Sequence, residues 1–155
     1  MADYTDSLGF YKNSVGFPSN YANRVSVVEI DLDFRTIAAA RAAASAAALA
    51  ATDTLVIATL PKGALILGGG ATLVRAEGAS GTVDLGITGS LTLFASNFNL
   101  NGTVGATSAG TTPAYLTADT SVVMTIDTNS IDVARIKVSI AVVNLGADLG
   151  VIPSA

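Results

Sequence analysis

The chain has 155 residues, 50% of them hydrophobic and only 13% charged, with a net charge of −4 and neither histidine nor cysteine. The missing cysteines exclude disulfides, thiolate zinc sites and thiol nucleophiles, and the missing histidines remove the commonest metal ligand and general base. Soluble domains are about 25% charged, so this sparse surface points to an assembly subunit covered by neighbours.

The length fits one domain with a core of its own, and a mildly negative chain with no basic stripe is a poor nucleic-acid binder. The Met1 end, MADYTDSLGF, lacks the basic and apolar regions of a secretory signal. The longest low-polarity run, Thr36–Ala51, is interrupted by Arg41 and Ser45 and is shorter than the ~20 residues of a membrane helix. The expectation is a protein made in the cytoplasm with no membrane partner. Alanine, with 27 residues, accounts for part of the high mean hydropathy of +0.56.

Residues 1–24 read as an extended N-terminal arm. They hold Tyr4, Phe10, Tyr11, Phe17 and Tyr21, five of the nine aromatics, among Gly, Pro, Asn and Ser with no helical or strand period. These rings are the candidate partner-binding residues, set either against another subunit or, with the arm folded back as a capping strand, against their own domain. Residues 25–155 read as a single β-sandwich domain. Its first strand alternates Val28, Ile30, Leu32 and Phe34 with Glu29, Asp31, Asp33 and Arg35. The alanine tract Thr36–Ala51 predicts a helix capped by Asp33 or Thr36, with Ile37, Arg41, Ser45 and Leu49 in one stripe.

Short strands follow at Thr54–Leu60, Ala64–Leu67, Ala71–Ala76, Thr82–Thr88 and Leu91–Phe94, separated by Pro61-Lys62-Gly63, Gly68–Gly70 and Gly78–Gly81. The Asn-, Gly-, Ser- and Thr-rich stretch Ala95–Thr112 predicts a long polar loop. It lies within a run, Leu85–Ala118, that has no charged residue. Alternation over Ser121–Asp127 and Arg135–Val142, around Thr128-Asn129-Ser130, predicts a closing hairpin. Together these elements predict a mainly β fold, an antiparallel sandwich or barrel with one Ala-rich helix.

No constellation carries catalysis. Gly68–Gly70 lacks the lysine and helix of a phosphate loop and reads as a bulge or bend. Glu29, Asp31 and Asp33 share one strand face but cannot converge on a cation, so they read as an acidic strip paired to Arg35 or to a neighbour's arginine. Asp84, Asp127 and Asp132 match a glycosidase pair by residue type alone, each near a turn where Asp is common. Lys12, Lys62 and Lys137 have no Ser-x-x-Lys spacing, and Asn101-Gly102-Thr103 reads as a turn. No cofactor, metal or catalytic residue is expected.

The stretch TDTLVIATLPKGALILGGGATLVRAEGASGTVDLGITGS, residues 52–90, resembles a block of tailed-bacteriophage virion structural proteins. TADTSVVMTIDTNSIDVARIKVSIAVV, residues 117–143, resembles their closing hairpin. The pattern is most similar to head decoration, or cement, proteins. The resemblance implies an antiparallel β-sandwich of jelly-roll-like type, a non-enzymatic subunit that forms a homotrimer on the outer surface of the capsid, binds the major capsid protein and staples capsomers. Other readings of the same residues are a tail or head-fibre component, or a carbohydrate-binding (adhesin) module using Asn97, Asn99 and Asn101 with Phe94 and Phe98.

Overall fold

The computed structural model describes residues 11–14 and 25–145. Strand β2 (Val25–Asp33) follows its period-2 pattern, with Val28, Ile30 and Leu32 buried on one face and Val25, Val27 and Glu29 exposed on the other. Ahead of it, Tyr11–Ser14 forms strand β1, antiparallel to β2 with Tyr11 opposite Asp31 and Ser14 opposite Val28. This short piece of the arm therefore pairs with its own domain.

Helix α1 (Phe34–Ala43) starts where Asp33 accepts the Arg35 N–H at 3.1 Å, and it buries Phe34 and Ile37. It is shorter than the expected Thr36–Ala51. Ser45 sits at φ 56 and Arg41 Nε donates to the Ala47 carbonyl at 2.7 Å, which turns the chain back. The whole tract as a helix would run about 24 Å, whereas two packed sheets lie only about 10 Å apart. Turning back brings Leu49 into the core at 4% exposure, so packing overrides alanine's propensity.

The remaining strands are β3 (Thr54–Leu60), β4 (Ala64–Arg75), β5 (Thr82–Ile87), β6 (Ser90–Asn99), β7 (Thr107–Gly110), β8 (Ala114–Tyr115), β9 (Thr120–Thr128) and β10 (Arg135–Asn144). One sheet has the order β1-β2-β10-β4-β7, with β8 also paired to β4, and the other has the order β3-β9-β5-β6. All of these pairings are antiparallel. After β2 the chain passes repeatedly from one sheet to the other, the winding of a jelly-roll-like sandwich. The core between them includes Ile30, Leu32, Ile66, Leu73, Leu85, Phe94, Met124, Ile126, Val138 and Ile140, each at most 1% exposed.

Three local expectations are corrected. First, β9 and β10 are not a hairpin: β9 pairs with β3 and β5, and β10 with β2 and β4. Their connection crosses between the sheets with Ile131 and Ala134 buried. Alternation reports which face of a strand is buried and carries no information about its partner.

Second, β4 runs unbroken through Gly68–Gly70, with two register shifts against β10, one of which, beside the glycines, leaves Leu67 as the extra residue opposite Ala141 and Val142. The glycines serve close approach. A Cβ on Gly69 would lie 2.7 Å from the Phe94 ring, one on Gly68 would lie 2.8 Å from the Gly110 carbonyl oxygen, and one on Gly70 would overlap the Ser108 carbonyl. Backbones this close let β7 lie against β4 and reach β6, closing that side of the sandwich.

Third, the stretch expected to be a polar loop over Ala95–Thr112 holds the second half of β6 and all of β7. β6 buries Phe94, Ala95 and Phe98 despite its polar neighbours. Its irregular register, Val83 opposite Phe98 but Leu85 opposite Ala95, hid the alternation. The Asp84 carboxylate holds that bulge by accepting the Asn97 N–H at 2.7 Å.

Candidate assembly surfaces

The outer face of the larger sheet grades from charged to apolar, row by row, as its register dictates. At one end Asp33, Arg135 and Arg75 are neighbours across β2, β10 and β4, and the next row holds Asp31, Lys137 and Thr72. Asp33 pairs with Arg75, and Asp31 takes Arg135 in a bidentate grip at 2.9 and 2.6 Å. Asp31 and Asp33 of the acidic strip are thus each paired to an arginine of their own sheet, and neither is paired to the Arg35 side chain. Partial desolvation works to raise the Asp33 pKa, but the Arg75 hydrogen bond, the Arg35 N–H and the charges of Arg75 and Arg135 outweigh it and hold it below its ordinary value.

This end is braced by Glu77. Its carboxylate is 7% exposed and accepts the backbone N–H groups of Asp132 and Val133 at 3.0 Å and of Ala134 at 2.6 Å. Arg75 Nε donates to the Val133 carbonyl at 2.7 Å, and the Phe34 N–H to the Ala134 carbonyl at 2.9 Å. The β9–β10 crossing is therefore held by the Arg75 and Glu77 side chains at the end of β4, the strand beside β10, and by the Phe34 backbone. Sequence reading missed Glu77. A lone Glu after a strand carries no signal that three amides will converge on it.

Away from this end the charges thin out and stop after Glu29. The third row is Glu29, Ser139 and Gly70, the fourth is Val27, Ala141 and Gly68, and the last is Val25, Val143, Leu65 and Tyr115 across β2, β10, β4 and β8. Val25, Val27 and Tyr115 are 54%, 44% and 53% exposed, and Leu67 beside them is also exposed. An apolar patch on an outer sheet face is the form an interaction surface takes. Valines on both faces of Val25–Val28 were its signal in the sequence.

Two further uncharged areas lie elsewhere. The excursion after α1 exposes Ala42–Ala44, Ala46–Ala48, Ala50 and Ala51. On the outer face of the smaller sheet, Val56 and Leu91 are exposed on either side of Val123. Together these areas make the low charge content a property of the folded surface, as the composition implied.

Of the expected partner-binding rings, Tyr11 lies in β1, while Tyr4, Phe10, Phe17 and Tyr21 lie outside the described residues. Phe94 and Phe98 are core residues, 1% and 7% exposed, so neither offers a ring to a sugar. The Asn99 side chain is occupied locally, accepting the Asn101 N–H at 2.9 Å. Asp127 accepts the Thr82 hydroxyl and Asp84 holds the β6 bulge, so these carboxylates serve as turn and bulge anchors. Among the described residues no three acidic side chains gather closely enough to hold a metal ion, and no helix is long and apolar enough to cross a membrane.

No protein-family model matches the chain, and no curated protein matches its sequence. Its structure is similar to a chain in the capsid asymmetric unit of cyanophage Pam1, with a TM-score of 0.58 and 16% identity over 83% of this chain and 91% of that one. It is also similar to a chain of the acid-stable capsid of Helicobacter pylori bacteriophage KHP30, with a TM-score of 0.55 and 10% identity over 87% and 94%. A third similarity, to a chain in the capsid of Ralstonia phage GP4, has a TM-score of 0.52 and 18% identity over 83% and 89%. The chain thus shares a fold, over nearly the full length of each neighbour, with chains found in three phage capsids.

Proposed function

We propose that this chain is a non-enzymatic bacteriophage virion protein that decorates the outer capsid, associating as a homotrimer and cementing contacts between capsomers of the major capsid protein. The observation that carries the virion reading is the likeness, over 83–87% of the chain, to chains of three phage capsids. The uncharged areas on both sheets and on the alanine excursion support it, because they suit a subunit with several neighbours. In this reading the arm, with Tyr4, Phe10, Tyr11, Phe17 and Tyr21, docks on the capsid. Aromatic rings bury large areas at low rotamer cost, and many weak arms on one shell act multivalently.

The test is light scattering on the purified protein followed by mixing with capsids that lack it. A trimer that co-sediments with capsids and adds density to their outer surface supports the proposal. A monomer that stays in the supernatant contradicts it.

A further inference from the structure

The turn after β6 holds the one asparagine–glycine pair of the chain, Asn101-Gly102. Asn101 is exposed, and its backbone N–H donates to the Asn99 side chain at 2.9 Å. Among the described residues its own side-chain amide has no hydrogen-bond partner, whereas that of Asn129 donates twice to Ser80, at 2.8 and 2.9 Å. Asn97 and Asn99 precede Phe98 and Leu100, whose side chains crowd their own amide nitrogens. At Gly102 a Cβ would lie 3.4 Å from the Asn99 carbonyl oxygen and 3.9 Å from the Ala106 Cβ, so packing does not demand glycine there.

We propose that Asn101 is a modification site that converts without an enzyme to aspartate and isoaspartate, through attack by the Gly102 amide. Solvent base removes the Gly102 N–H proton, and the nitrogen attacks Asn101 Cγ. The N–Cγ bond forms and the Cγ–Nδ2 bond breaks, with Nδ2 leaving as ammonia after taking a proton from water. Water then opens the cyclic imide at either carbonyl. Breaking the N–Cγ bond gives aspartate. Breaking the bond from nitrogen to the Asn101 backbone carbonyl carbon gives isoaspartate, whose main chain runs through Cβ and Cγ. Gly102 suits the attack because it has no Cβ to shield its nitrogen and its backbone rotates with little restriction.

The two products act differently on the fold, because the turn is pinned at both ends. The buried Leu100 donates to the Gly81 carbonyl and accepts from the Glu77 N–H, both at 2.8 Å. On the other side the Gly105 N–H donates to the Leu73 carbonyl, and the Leu73 N–H to the Ala106 carbonyl, again at 2.8 Å. Isoaspartate adds one backbone carbon, about 1.5 Å of chain, between these anchors. Leu100 is held by its burial, so the slack goes to the exposed Gly105 anchor, just ahead of β7. Aspartate keeps the chain length and places a first charge in the Leu85–Ala118 run. The reaction needs only the folded chain and water, and does not depend on any capsid.

The test incubates the full chain over a range of pH, digests it, and follows the peptides carrying residues 101 and 129 by chromatography and mass spectrometry. The Asn101 peptide should gain about 1 Da and split into aspartate and isoaspartate forms. Asn129 should react at least ~10-fold more slowly, because its two amide hydrogen bonds must break first. The Asn101 rate should rise with pH, by up to ~10-fold per unit, because only the deprotonated amide attacks. Gly102→Ala, which has room for its Cβ, should slow the reaction at least ~10-fold by shielding the nitrogen. Hydrogen exchange at the Gly105 amide should quicken in the incubated parent and stay unchanged in an Asn101→Ser variant incubated alongside. An Asn101 no faster than Asn129, aspartate without isoaspartate, or an unslowed Gly102→Ala variant overturns the proposal, and unchanged exchange at Gly105 overturns its structural consequence. None of these results alters capsid co-sedimentation of freshly purified protein, so the two proposals fall separately.

Discussion

Replacing Glu77 by Gln probes the brace that sets the β9–β10 crossing. The carboxylate accepts three amides, one on Oε1 and two on Oε2, at 3.0, 3.0 and 2.6 Å. Glutamine keeps one acceptor oxygen and places an NH2 where the other stood. If its oxygen stays with Val133 and Ala134, the Asp132 N–H faces a donor, and the two retained bonds lose their charge assistance. An unsatisfied buried donor costs about 1–3 kcal/mol, and a hydrogen bond to a charged group contributes roughly twice a neutral one. The sum is about 2–4 kcal/mol. This is below the 5–15 kcal/mol typical of a domain, so the variant should fold. At roughly 2–4 °C per kcal/mol for a chain of this size, Tm should fall by about 5–15 °C in a thermal melt followed by circular dichroism. Hydrogen exchange should quicken first at the amides of residues 132–134. A Tm within about 2 °C of the parent, with those amides still protected, would refute the bracing role.

Other perturbations test separate parts of the fold. Asp33→Asn keeps a helix cap but removes the charge facing Arg75. The folded pKa of Asp33 is depressed below its ordinary 3.8, so its contribution is present above about pH 4 and is lost as pH falls through the lower folded value. The half-exposed pair contributes at most ~1 kcal/mol. Urea melts should show the variant weaker at pH 7 and equal to the parent near pH 2, and an equal gap at both would contradict this account. Gly70→Ala should cost about 1–3 kcal/mol and free β7, because its Cβ collides with the Ser108 carbonyl. Gly81→Ala, whose Cβ would have its nearest neighbour at 3.5 Å, should be neutral or slightly stabilising by ~0.5 kcal/mol, and similar melts for the two would refute the close-approach argument. Removing residues 2–10, which spares β1, should leave the melt unchanged but weaken capsid attachment. Undiminished attachment in a sedimentation assay would exclude that part of the arm as the anchor.

The sequence was most legible where one residue face is buried and pairing is regular. Strand β3 matches its expected bounds, and Val28, Ile30 and Leu32 on β2 and Val83, Leu85 and Ile87 on β5 point inward as their period requires. Legibility failed where tertiary contacts decide. The alanine tract has the propensity for a long helix, but Leu49 is needed in the core, so the helix stops at Ala43. The bulge at Ser96 and Asn97 breaks the alternation of β6, which disguises Phe98 and Leu100 as loop residues although both are buried. Partner choice was invisible: nothing in the patterns of β9 and β10 says that they belong to different sheets. The candidate surface was half legible. Low charge content announced covered surface, but only the register of β2, β10, β4 and β8 gathers Val25, Val143, Leu65 and Tyr115 into one row.

The most direct test of the central claim is a cryo-EM reconstruction of capsids incubated with the purified protein. Decoration predicts added density on the outer surface, arranged in trimers, into which this sandwich fits with its N-terminal arm against the shell. A reconstruction indistinguishable from that of undecorated capsids, with the protein remaining free in solution, would contradict it.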